Sequence, residues 1–92
     1  IDYGSHVVTV KDKQVDLSPT EFKLLKFLAL HPGRVYTRDQ LLDHVWGDET
    51  FVEPRTVDVH IKRLRAQIEK NKVRPQYVLT VRGFGYKFTD IE

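Results

Sequence analysis

Cysteine does not occur anywhere in this chain. Disulfide staples, thiolate catalysis and cysteine-bound metal are therefore excluded. Methionine is absent as well, and the first residue is Ile1, so the expectation is a segment cut from a longer protein. No apolar run approaches the roughly 20 residues that a bilayer-spanning helix needs, and no signal-peptide pattern opens the chain. A soluble, cytoplasmic domain with no membrane partner is expected. The four histidines, His6, His31, His44 and His60, do not have the spacing of metal ligands. Neither a G-x-S-x-G elbow, a phosphate-binding glycine loop nor a zinc-protease motif is present. Gly83-Phe84-Gly85 has the Gly-x-Gly pattern but not the strand–helix context of a nucleotide site. No catalytic residue, metal or cofactor is expected, and the chain does not read as an enzyme.

What is present is a globular composition, 40% apolar and 30% charged over 92 residues. A chain of this size buries roughly two-thirds of the surface it exposes when unfolded, enough for one core and one domain, 1–92. The net charge of +2 is unevenly spread. Residues 1–53 carry six Lys/Arg against nine Asp/Glu, and residues 54–92 carry nine against four. A basic C-terminal half suits a surface facing a polyanion. Ordinary scatter of solvated charge is the bland alternative.

The order of elements is strands, three helices, hairpin. His6 to Val10 alternates and is β-branched, Lys11-Asp12-Lys13 turns, and Gln14 to Asp16 continues as a partner strand. The first helix has a full start signal: Ser18 as N-cap, Pro19 at the first helical position, Glu21 closing the capping box, and Leu17 with Phe22 as hydrophobic staple. His31-Pro32-Gly33 ends it. The second helix repeats this logic with Thr37, Gln40, Tyr36 and Leu41, and Gly47 stops it. After a loop over 48–53, Pro54 opens a third helix that runs to about Lys70. Tyr77–Val81 and Tyr86–Phe88 read as strands around Arg82-Gly83-Phe84-Gly85, whose glycines permit the positive φ angles of a tight hairpin.

The third helix bears most directly on function. At helical period, Val57, Ile61, Leu64 and Ile68 form one stripe, and Arg55, Val59, Lys62, Arg63 and Ala66 form the opposite face. A core-facing stripe backed by a basic face is what a helix needs to lie in a major groove. Arg63 can reach guanine bidentately and Val59 can touch a thymine methyl. Arg55, Thr56, His60 and Lys62 suit phosphates, Thr56 through the free N–H groups of the first turn. The alternative is a solvated face with Asp58 and Lys62 paired along the helix.

At the hairpin tip, Arg82 beside a slim glycine turn suits a minor groove, and Thr80 and Tyr86 can offer hydroxyls to phosphate. A surface arginine paired with Asp58 and a core tyrosine are the alternatives. Trp46 reads as core with an indole N–H able to reach a phosphate. The acidic loop over 47–53 is a poor DNA contact and reads, by itself, as a connector.

The motifs L-S-P-T-E-F-K-L-L at 17–25, R-D-Q-L-L at 38–42, V-W-G at 45–47, R-T-V-D-V-H-I-K-R-L-R at 55–65 and T-V-R-G-F-G-Y-K-F at 80–88 follow one another in order, and the resemblance they carry covers nearly the whole chain. Together they resemble the C-terminal effector domain of OmpR/PhoB-type response regulators of bacterial two-component systems. The run V-E-P-R-T-V-D-V-H-I-K-R-L-R is most similar to phosphate-regulon regulators. The resemblance implies an α+β winged helix-turn-helix: an N-terminal antiparallel β-platform, three helices and a C-terminal β-hairpin wing. It implies DNA contacts at Trp46, Arg55, Thr56, Val59, His60, Lys62, Arg63, Thr80, Arg82, Gly83 and Tyr86. It implies an activating contact with RNA polymerase through the loop of Asp48, Glu49, Thr50, Phe51, Val52 and Glu53. It further implies a tandem dimer on direct-repeat double-stranded DNA, and a sensor kinase acting on a receiver domain absent from this chain. A winged-helix protein-interaction module without DNA binding is the competing reading, because fold alone does not dictate DNA binding. An RNA-binding module is weaker, since no set of stacking aromatics clusters on an open sheet.

Overall fold

The computed structural model describes residues 8–10, 12–47, 52–71 and 73–89. The expected start of the first strand at His6 and the loop residues Asp48, Glu49, Thr50 and Phe51 lie outside these. The elements follow the expected order: β1 (Val8–Val10), β2 (Lys13–Val15), α1 (Pro19–Ala29), α2 (Arg38–Leu41) continuing into a π-helical turn (Leu42–Trp46), α3 (Pro54–Ile68), β3 (Val78–Val81) and β4 (Gly85–Phe88). Strands β1 and β2 pair antiparallel, with Val8 opposite Val15 and Val10 opposite Lys13. Asp12 takes the left-handed conformation that closes their turn, φ 67°, which a short polar side chain tolerates.

Both capping boxes form as the sequence predicts. The Glu21 N–H donates to Ser18 Oγ at 3.2 Å, and the Ser18 N–H donates to Glu21 Oε2 at 3.2 Å. The Gln40 N–H donates to Thr37 Oγ1 at 3.1 Å, and the Thr37 N–H donates to Gln40 Oε1 at 2.9 Å. The second helix differs from expectation past Leu41. Its last turn widens, and the Gly47 N–H donates five residues back to Leu42 O at 3.0 Å. The wider turn breaks the α-helical phase. Leu41 is fully buried, whereas Leu42, Val45 and Trp46 only pack against the edge of the core. Gly47 ends the turn at φ 61°.

Helix α3 lies against α1 and α2. Its stripe of Val57, Ile61, Leu64 and Ile68 is buried, with Phe22, Leu24, Leu25, Leu28, Tyr36, Leu41, Val8 and Val78 completing the core. Burying such side chains contributes roughly 1.5–3 kcal/mol each, so the stripe fixes the helix by its inner face and frees the outer one. The helix stops at Ile68, two residues short of the expected end, because Glu69 turns extended and acts as a latch. Its carboxylate accepts from the N–H groups of Gln76 (2.7 Å), Tyr77 (3.1 Å) and Val78 (2.9 Å). The end of α3 is thereby tied to the start of β3.

Strands β3 and β4 form the wing, with Thr80 opposite Tyr86 and Val81 opposite Gly85. The Phe84 N–H donates to Val81 O at 2.9 Å, and Gly83 has φ 83°. That is a type II turn, which needs a positive φ at its third residue. Gly85 is required for a different reason than the sequence suggests. Its backbone runs against Tyr36, where a Cβ would land on the Tyr36 carbonyl. The close approach allows a third strand segment: the Tyr36 N–H donates to Tyr86 O at 2.8 Å and the Tyr86 N–H to Tyr36 O at 2.9 Å.

Candidate nucleic-acid interface

Pro54 takes the first helical position of α3, and Glu53 precedes it without a side-chain cap. The N–H groups at the start of α3 thus have no side-chain partner from Glu53, although the Thr56 N–H donates to Glu53 O at 2.9 Å. Arg55, Val59, Lys62 and Arg63 are all exposed on one face, and Val59 is 46% exposed. Arg55 Nε bonds Glu53 Oε2 at 2.6 Å, an exposed pair of small net value that a phosphate can replace. Thr56 is half-buried beside it. Arg82 and Gly83 are exposed at the tip of the wing, next to Phe84. The sequence-predicted cations of helix and wing therefore sit on two convex elements separated by a cleft. Arg38, Asp58, Thr80, Gly83, Phe84 and Tyr86 line that cleft.

Asp58 is the one acid lining this cleft among the described residues, and it would repel phosphate if left bare. It pairs with neither Lys62 nor Arg82. Arg38 Nη1 donates to its Oδ2 at 3.0 Å, and the Tyr86 hydroxyl donates to its Oδ1 at 2.6 Å. Burial, then the hydrogen bond to Asp58 and the charge of Asp58, push the Tyr86 hydroxyl up to about 12; Arg65 and Arg38 oppose this. The hydroxyl therefore stays protonated and committed to Asp58, and the cleft's negative charge is offset from two sides.

Arg65 is a residue the sequence reading did not single out. Its Nε and Nη2 donate to Val78 O at 3.0 and 2.9 Å, and Nη2 also donates to Thr80 Oγ1 at 2.8 Å. Its guanidinium lies 5.6 Å from the Tyr86 ring centre. Partial burial holds it below the ordinary arginine range, with Tyr86 and Glu69 opposing. This side chain joins α3 to both wing strands, and only its spacing past the exposed face hinted that it points elsewhere. Thr80, read as a phosphate contact, accepts from Arg65 and keeps its own hydroxyl proton to donate.

Two further predicted residues come together, each only partly exposed. His60 is mostly buried, with Nδ1 3.4 Å from Glu21 Oε1. Its ring centre lies 5.3 Å from that of Trp46. Of the loop read as a polymerase contact, Val52 is half-buried and Glu53 faces Arg55. No cluster able to hold a metal ion exists among the described residues. No described helix is long and apolar enough to cross a membrane.

Residues 12–88 match the model of the family described as transcriptional regulatory protein, C terminal. The phosphate regulon transcriptional regulatory protein PhoB of Klebsiella pneumoniae is 54% identical over 89 residues, 97% of this chain and 38% of that protein. PhoB of Pseudomonas aeruginosa is 51% identical over 89 residues, again 97% of this chain and 38% of that protein. The chain thus spans well under half the length of these relatives. Among solved structures, response regulator DrrB of Thermotoga maritima, an OmpR/PhoB homolog, superposes with a TM-score of 0.89 at 45% identity, over 97% of this chain and 40% of that one. The DNA-binding domain of Klebsiella pneumoniae RstA in complex with the RstA box gives a TM-score of 0.86 at 37% identity, over 97% and 88% respectively. The fold is the winged helix of these domains, and their family is one of transcriptional regulators rather than enzymes. The chain belongs to the family of C-terminal domains of transcriptional regulatory proteins, in its OmpR/PhoB branch.

Proposed function

We propose that this domain binds double-stranded DNA with sequence specificity and so regulates transcription. The observation that carries the reading is the division of α3. Its inner stripe is buried without remainder, and its outer face presents Arg55, Val59, Lys62 and Arg63 to solvent. A 46% exposed valine amid cations has no reward in water and a natural partner in a thymine methyl. Arg63 and Val59 read bases in the major groove. Arg55, Thr56, His60 and Lys62 set the register on phosphates, joined by Trp46 and by Thr80 at the wing's base, while the Tyr86 hydroxyl, expected on a phosphate, is spent on Asp58. Arg82, beside Gly83, enters the minor groove, whose negative potential attracts arginine.

The RstA complex supports this reading, since that protein's DNA-binding domain shares the fold and is 37% identical. By kinship with PhoB, the domain serves a bacterial two-component system in the cytoplasm. A receiver domain elsewhere in the longer protein would take the phosphate from a sensor kinase, and two effector domains would sit in tandem on direct repeats. The loop over 47–53 would meet RNA polymerase. Binding selection from random duplex DNA tests the central point. One enriched motif, bound more weakly as salt rises, is expected; absence of enrichment would leave the protein-interaction reading in its place.

A further inference from the structure

Each of the first two helices opens with a capping box, and the two differ in one respect. The box of α2 is closed by Gln40, which is exposed; that of α1 is closed by Glu21, which is buried. Capping does not need the charge, because an amide oxygen accepts the N-cap N–H equally well. The helix dipole favours an acid at either start and does not explain why only the charged one is buried.

Glu21 spends Oε2 on the Ser18 N–H. Its other oxygen faces His60 Nδ1 at 3.4 Å, in a pair whose side chains are 9% and 17% exposed. His60 Nδ1 is buried and makes no hydrogen bond; Glu21 Oε1 at 3.4 Å is the acceptor that faces it. Among the described residues, Glu21 from α1 and Trp46 from the π-helical turn face the ring, and of these two only Glu21 is ionisable. A buried carboxylate beside a buried ring nitrogen calls for a proton between them.

We infer that Glu21 is a positioning residue for DNA binding: its buried carboxylate holds the Nδ1 proton of His60, fixes the ring, and couples phosphate contact at Nε2 to proton uptake. The inference rests on the proposed placement of His60 on a phosphate. With Nδ1–H held by Glu21, a neutral ring has a bare Nε2, which repels a phosphate oxygen. To donate from both nitrogens the ring must be the imidazolium. One anion flanks it in the free domain and two flank it in the complex, so the complex favours the added proton, which comes from solvent. Affinity is therefore highest at low pH and falls as pH rises.

The test is DNA affinity between about pH 6 and 8, where imidazole changes charge, for the wild type, Glu21→Gln and His60→Gln. Nitrogen NMR of the His60 ring in the free wild type accompanies it. The Glu21→Gln variant would keep the capping acceptor and lose the charge, leaving His60 free to adopt the Nε2–H form and serve phosphate while neutral. The wild type should lose affinity towards a limit of about tenfold per pH unit, the slope for one proton. Both variants should have flatter profiles, and neutral His60 should carry its proton on Nδ1. Parallel profiles for wild type and Glu21→Gln, or an Nε2–H ring in the free wild type, would overturn the inference. Absence of DNA binding at every pH would instead sink the DNA reading, and the NMR readout would still decide whether Glu21 holds the ring.

Discussion

The recognition helix and the wing meet the same proposed ligand, yet they are held by different forces. Helix α3 is seated by apolar burial, with Val57 and Leu64 fully inaccessible. The wing contributes Val78 to the core, packs Tyr86 and Phe88 against its edge, and is further fastened by polar groups. These are the Glu69 carboxylate on three N–H groups, the Arg65 fork on Val78 O and Thr80, the Tyr86–Asp58 bond, and the Tyr36 backbone pair. Apolar contacts are non-directional and fix where the helix sits. Hydrogen bonds are directional and fix the angle at which the hairpin stands. Damage to the first should unfold the domain, and damage to the second should mostly misplace Arg82.

The largest effect should come from the helix seat. Leu64→Ala removes a fully buried side chain and should lower stability by about 2–5 kcal/mol, measured by urea unfolding; its outer face is untouched, so binding per folded molecule should survive. Next comes the outer face itself. Arg63→Ala should weaken specific binding by about 1–3 kcal/mol and relax discrimination at one base position, with no change in the unfolding midpoint. If it unfolds the domain instead, the separation of the two faces fails.

The wing's latches should give intermediate and smaller effects. Glu69→Ala leaves the N–H groups of Gln76, Tyr77 and Val78 without their acceptor, at a cost of about 1–3 kcal/mol for a buried unsatisfied group. Amide exchange should speed up first at those three positions, and equal acceleration throughout α3 would argue against a local latch. Tyr86→Phe removes one hydrogen bond to a charged, partly exposed acid and should cost about 1 kcal/mol. Its pH signature is more telling. The hydroxyl is raised from near 10 to about 12, so its stabilising contribution is complete below the ordinary value and is lost as pH rises through about 12. Alkaline unfolding of the wild type should therefore show a component in that range that Tyr86→Phe lacks.

The same contrast explains what could be read from sequence. Both capping boxes, the α3 stripe and the turn glycine Gly83 are local: they join residues three or four apart, or obey a fixed period. They were legible because the chain itself supplies the geometry. The widened turn at Leu42–Trp46, the Arg65 and Glu69 latches and the partners of Asp58 were not. Asp58 reaches Arg38 and Tyr86 across gaps of 20 and 28 residues, whereas the sequence suggested Lys62, one turn away, or Arg82 of the hairpin. Gly85 was read as a turn residue and is needed for its closeness to Tyr36, a contact that exists only once the wing has docked. The exposed candidates Arg55, Val59, Lys62, Arg63 and Arg82 stand where periodicity puts them. His60 does not: it turns inward to Glu21 and Trp46, because the edge of an amphipathic face is where period alone stops deciding.

The central claim is that the outer face of α3 and the tip of the wing neutralise DNA phosphates and read bases together. Its most direct measurement is affinity for a selected duplex against salt concentration, for the wild type and for Arg82→Ala. The logarithm of affinity should fall linearly with the logarithm of salt, with a slope near about −0.9 per phosphate neutralised, and loss of Arg82 should leave the slope shallower by no more than about one contact. Binding that ignores salt, or a slope and site preference unchanged by charge reversal at both Arg63 and Arg82, would contradict the claim.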